Sequence, residues 1–93
     1  MYYLQITLRI TNENRPAAVQ IYSKYKEPFL SSIPGAISKE LLVREEDLQV
    51  LHGFATGEQA GSYLQSELFK NDVVAGLKPL LQSDPDVRIY QAF

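Results

Sequence analysis

Apolar and polar side chains alternate from Tyr3 to Ile10, with Leu4, Ile6, Leu8 and Ile10 on one face and Tyr3, Gln5, Thr7 and Arg9 on the other. A period of two predicts a first strand with one strongly apolar face. Thr11 to Pro16 then supplies cap residues and a proline suited to a first helical turn, after which Ala18, Ile21, Tyr25 and Phe29 recur at three and four spacing. This predicts a helix running to about Leu30, its last turn disturbed by Pro28, which lacks the N–H that a helical ladder uses.

Ser31 to Gly35 is a turn cluster, and Ala36 to Arg44 reads as a second strand with Ile37, Leu41 and Val43 on one face. Glu45-Glu46-Asp47 reads as a solvated hairpin tip. A third strand follows from Leu48 to Ala55, with Leu48, Val50, His52 and Phe54 on one face and Gln49, Leu51, Gly53 and Ala55 on the other. Thr56 to Gln59 fits a capping box in which Thr56 caps the helix and Gln59 reaches back. Behind it Ala60, Tyr63, Leu64 and Leu68 form a stripe that carries a second helix to near Asn71, with a further short turn from Asp72 through Leu77 that Pro79 limits. Asp84-Pro85 breaks the chain before a fourth strand, where Val87, Ile89, Gln91 and Phe93 alternate with Arg88, Tyr90 and Ala92.

The order β-α-β-β-α-β predicts an α+β fold of ferredoxin-like type, a four-stranded antiparallel sheet with both helices on one face. At 93 residues the chain suits one domain spanning 1–93. The opposite sheet face would carry Tyr3, Gln5, Thr7, Leu51, Gly53, Tyr90 and Ala92, a surface too apolar to stand in water over a whole sheet. A domain this small also buries only roughly 60 to 65% of its unfolded surface. Both arguments predict a homodimer with the sheets packed into an α/β barrel.

Nine basic against eleven acidic residues leave a net charge of −2, without the basic footprint of a nucleic-acid binder. The absence of cysteine removes disulfides, thiolate nucleophiles and sulfur metal sites, and suits a reducing cytoplasm. The N-terminus has neither a basic leader nor an unbroken apolar run, so no signal peptide or membrane span is expected. One histidine and no H-x-H, HExxH or carboxylate cluster predict no metal, and no Gly-rich phosphate loop points to a nucleotide cofactor.

His52 is the one side chain that ordinarily titrates near neutrality, and its parity sets it against the helices. It reads either as a core histidine satisfied by one hydrogen bond or as a general base in a small cavity. Tyr22, Tyr25 and Tyr63, among six tyrosines, fall on helical stretches facing the sheet. They read as core packing or as phenols lining a cavity for an aromatic, phenol-like ligand. If a cavity exists, parity places His52 and Phe54 across from Tyr25 and Tyr63, with Gln91 at its edge.

Ile33-Pro34-Gly35-Ala36-Ile37-Ser38 before strand two, and Phe54 followed by Ala60, Tyr63, Ser66 and Phe69, resemble the antibiotic-biosynthesis monooxygenase family of dimeric α/β barrels. The likeness runs nearly the whole chain. His52 stands where that family's pattern has an acidic residue, Phe54 where it has an aromatic one, and Tyr63 where it has a helix histidine; Ser66 and Phe69 agree. Because the haem-degrading branch uses that histidine, a strand-one asparagine and a tryptophan, all absent here, the resemblance implies the cofactor-free branch. That branch oxidises phenols through the substrate's own deprotonated form, with His52 and Tyr63 as the catalytic candidates and Tyr25, Phe54 and Gln91 as ligand-binding ones. The other readings are a non-catalytic ligand-binding or stress-responsive barrel, and an isomerase or decarboxylase in which His52 moves a proton.

Overall fold

Burial alternates along the first strand as its hydrophobic pattern predicts: Leu4, Ile6 and Leu8 are buried and Tyr3, Gln5 and Thr7 half-buried. In the computed structural model, which describes residues 1–93, this strand is β1 (Tyr2–Leu8), followed by α1 (Arg15–Ser32), β2 (Ala36–Val43), β3 (Leu48–Phe54), α2 (Gly57–Tyr63) and β4 (Asp86–Gln91). The strands form one antiparallel sheet in the order β2-β3-β1-β4. This is the ferredoxin-like arrangement the element order predicts. The core lies between the helices and one sheet face, where Leu4, Ile6, Leu8, Leu48, Val50 and Phe54 meet Ala18, Phe29, Ala60, Tyr63, Val73 and Leu77. No helix is long and apolar enough to cross a membrane.

Five local features depart from what the sequence predicts. The second helix stops at Tyr63 instead of running to Asn71. The Ser66 hydroxyl donates to the Tyr63 carbonyl at 2.6 Å and accepts the Phe69 N–H at 3.1 Å, so it both ends one helix and caps the next. The chain restarts as a short α turn (Glu67–Phe69) that widens into a π-helical stretch (Lys70–Leu77) and closes with a 3-10 turn (Lys78–Leu80). The capping box is half made: Thr56 Oγ1 accepts the Gln59 N–H at 3.2 Å, but the Gln59 side chain does not reach back. It lies instead over Gly35, whose φ of +80° suits glycine and whose missing Cβ makes room for the Gln59 amide.

In β2, a bulge between Ala36 and Ser38 places Ile37 outward, 52% exposed, rather than on the face of Leu41 and Val43. Lys39 then faces inward opposite His52. Across the sheet, Val87 and Ile89 of β4 do share the helix-side face, paired with Ile6 and Leu4, but at this edge strand they remain 39% and 43% exposed. The hairpin tip is not wholly solvated either. Asp47 is buried and takes two bonds from the Arg44 guanidinium at 2.7 and 2.9 Å. Arg15 ties this tip to α1 by donating to the Arg44 and Glu45 carbonyls, each at 2.8 Å.

Candidate functional site

Strand parity carries His52 and Phe54 inward, and Phe29 on α1 and Tyr63 at the end of α2 close over them. Phe29 meets His52, Phe54 and Tyr63 edge-on at centroid distances of 5.1, 5.5 and 5.0 Å, and Tyr63 lies 5.3 Å from His52 and 5.5 Å from Phe69. Such tilted contacts set ring edges against ring faces and fill space efficiently. The interval between sheet and helices is therefore packed with rings. Of the residues expected around a cavity there, His52, Phe54 and Tyr63 come together. Tyr25 stays half-buried on α1 beneath the Lys24 ammonium, 5.3 Å from its centroid, and Gln91 is exposed at the end of β4.

Threaded into this aromatic cluster is a polar one that the sequence reading did not single out. Lys39 Nζ donates to Asp72 Oδ2 at 2.6 Å, with both side chains almost wholly removed from water. The ammonium also lies 5.6 Å from the Phe29 centroid and 5.7 Å from that of Tyr22, whose hydroxyl donates to the Lys39 carbonyl at 2.7 Å. Asp72 comes from the π-helical stretch, so one ion pair joins β2 to the segment after α2. His52 Nδ1 lies 3.2 Å from the Leu4 carbonyl. Since a carbonyl only accepts, Nδ1 carries the proton and Nε2 presents a bare lone pair. That atom, Tyr63 Oη and Asp72 Oδ1 are all buried without a hydrogen-bond partner.

The electrostatics follow from burial. Desolvation, with the Lys39 charge adding to it, lowers the His52 pKa to about 3, so the ring is neutral throughout the physiological range. Desolvation and then the Asp72 charge push the Tyr63 phenol far above its ordinary value. For Lys39 and Asp72 desolvation outweighs their mutual attraction, lowering the amine and raising the carboxyl. No three imidazole or carboxylate side chains converge as a set of metal ligands.

The open space lies on the other side of Tyr63. A cavity of about 420 Å³ sits between the Ile33-Pro34 turn and α2, lined also by Thr56, Glu58, Gln59, Ser62 and Ser66. Tyr63 is the one residue common to this pocket and the buried cluster. Its walls carry hydroxyls, an amide and one carboxylate, and no cation. Lys39 was within reach of the sequence, since it shares the parity of Leu41 and Val43. The pocket was not, because it depends on where α2 breaks.

No family model matches the chain, and no curated protein matches it in sequence. Solved structures do match. A Caulobacter crescentus protein, provisionally named an antibiotic biosynthesis monooxygenase, superposes with a TM-score of 0.84 at 16% identity, over 99% of this chain and 89% of that one. A similarly named Deinococcus radiodurans protein gives 0.80 at 16% identity, over 100% and 93%. A conserved Methanosarcina mazei protein gives 0.83 at 16% identity, over 97% and 90%. At these identities the likeness is one of fold, and it agrees with the resemblance carried by the Pro34-Gly35 and Tyr63-Ser66-Phe69 motifs.

Proposed function

We propose that this chain is a small dimeric α/β-barrel protein of the antibiotic-biosynthesis monooxygenase type, binding a small aromatic or phenolic molecule in the pocket walled by Tyr63 and oxidising it without a cofactor. One observation carries the reading: a pocket of ligand size whose inner wall, Tyr63, backs onto a buried cluster of Lys39, His52 and Asp72. Ring stacking on Tyr63 and hydrogen bonds from Ser62 or Thr56 would orient a phenol. An ionised phenol of the anthrone type can then react directly with dioxygen: its ring CH2 loses two hydrogens and four electrons, one oxygen atom becomes the C=O of the quinone formed, and the other leaves with the two hydrogens as water. His52, neutral and held by the Leu4 carbonyl, presents Nε2 as a fixed hydrogen-bond acceptor beside Tyr63.

The dimer belongs to the same proposal. Leu42 and Tyr90 are exposed and Tyr3 and Leu51 half-exposed on the sheet face that no helix covers, which supports packing against a second copy. Light scattering at micromolar concentration is expected to give twice the chain mass, and a clean monomer refutes it. Deleting Tyr90 to Phe93 is expected to weaken association. For the activity, hydroxyquinols and anthrone-like phenols are screened with oxygen-uptake detection. Turnover without added flavin or metal supports the oxygenase. Binding without oxygen uptake favours a non-catalytic carrier, the reading that the closed ring packing over His52 speaks for.

A further inference from the structure

We propose that the pocket extends behind Tyr63 to Lys39, whose ammonium is the counter-ion for an ionised oxygen of the ligand, a phenolate or enolate. This rests on the phenol-binding reading above and adds to it the residue that holds the charge. Lys39 is the only lysine or arginine buried in the chain. Its ammonium has three N–H groups, and one is engaged by Asp72 Oδ2. The other oxygen of that carboxylate, Oδ1, is a bare acceptor. A ligand hydroxyl reaching this point meets a donor and an acceptor together.

In this proposal the barrier to reaching it is the Tyr63 side chain. Tyr63 lines the pocket and packs against His52 at 5.3 Å, and its hydroxyl has no hydrogen-bond partner to anchor it. Swinging the ring aside gives up ring contacts with Phe29, His52, Phe54 and Phe69 but breaks no hydrogen bond of the phenol. A planar aromatic ligand entering in its place restores equivalent contacts.

The proton then has a defined destination. The ligand O–H bond breaks, its proton forms an O–H bond on Asp72 Oδ1, and the ligand oxyanion takes an N–H of Lys39. No electrons leave the ligand in this step. The cluster begins as ammonium and carboxylate and ends as ammonium, phenolate and neutral carboxylic acid, so its net charge stays at zero. The exchange replaces a strongly hydrated carboxylate with a delocalised anion that costs less to desolvate. His52 is the weaker proton acceptor, because a second cation would then stand beside Lys39. The titratable groups facing the site are thus Lys39 from β2, His52 from β3, Tyr63 from α2 and Asp72 from the π-helical stretch. Tyr22 of α1 is engaged with the Lys39 carbonyl.

The probe is 4-nitrophenol, whose phenolate is coloured. It is titrated with pH in the presence of excess protein, and amide NMR shifts at Ser62, Tyr63 and Ser66 report where it binds. Bound 4-nitrophenol is expected to ionise at least one pH unit lower than free, about a tenfold preference for the phenolate. Lys39→Met/Asp72→Leu, which removes both charges together, is expected to bind the probe without that shift. Lys39→Gln, which keeps a donor to Asp72 but no charge, is a second variant expected to lose it. A bound probe with unshifted ionisation, or a shift that survives both substitutions, overturns the role of Lys39 and leaves the pocket reading standing. Absence of any binding at Tyr63 overturns both.

Discussion

Removing the Lys39 charge alone should be among the most damaging single changes in this chain. In Lys39→Met the Asp72 carboxylate stays in the core with no cation, and breaking a buried pair on one side typically costs about 3 to 5 kcal/mol. The geometry justifies that range: the two groups are 2.6 Å apart and only 1% and 2% exposed, and Asp72 Oδ1 is already without a partner. A domain of this size has a stability of about 5 to 14 kcal/mol, so the loss is a large share of the total. It should appear as a fall in melting temperature of roughly 15 to 25 °C. Lys39→Met/Asp72→Leu is expected to behave oppositely. Because burial outweighs attraction for both partners, each charge is held at a standing cost near neutral pH. Asp72 has its proton affinity raised by folding, so its contribution is greatest below its unfolded pKa and is lost as pH rises through the folded one. Lys39, with its pKa lowered, loses its contribution as pH falls below its unfolded value. Replacing both by apolar groups removes both costs, and the double variant should match or exceed the wild type. Urea unfolding of the wild type, Lys39→Met and the double variant measures the cycle. The reasoning is refuted if Lys39→Met costs under about 1 kcal/mol, or if the double variant is as unstable as the single one.

His52 has its pKa lowered to about 3 from 6.5, so its neutral ring favours folding above pH 6.5 and that contribution is lost as pH falls towards 3. The loss is on the order of 5 kcal/mol, and His52→Gln should flatten this part of the stability profile measured by urea titration. Tyr63→Phe removes a buried hydroxyl that has no partner and should raise stability by about 1 kcal/mol; a loss of similar size in thermal melts would mean that the hydroxyl is satisfied. Arg15→Ala releases the hairpin tip by removing two exposed 2.8 Å bonds, costing about 1 kcal/mol and speeding amide exchange from Arg44 to Asp47.

The fold was legible because its signals are local. Leu4, Ile6 and Leu8 alternate without interruption, and Pro16 and Thr56 mark helix starts through side-chain chemistry acting within one turn. The break after Tyr63 was hidden because a serine off the apolar stripe, as Ser66 is, is compatible with a continuous helix, until its hydroxyl takes both a carbonyl and an N–H. Lys39 was missed for a different reason. A lysine inside a strand ordinarily points to water, and only Asp72, more than thirty residues later, makes its inward position tenable. His52 and Tyr63 could be placed together by parity and stripe, whereas the pocket beside Tyr63 depends on the helix break and on the turn at Gly35.

That turn couples two positions far apart in sequence. The Gln59 amide occupies the space that a Cβ at Gly35 would need, and Gln59 is also a wall of the pocket. Any side chain at position 35 must displace the amide, and the pocket is the open space beside it. The volume available to a ligand is thus governed partly by a residue that never touches it. In a lineage of such proteins, position 35 would stay glycine, because its φ of +80° strains any side chain whatever stands at position 59. Ligand size could then drift through substitutions at position 59 alone, while the turn, the sheet and its aromatic cluster stayed as they are.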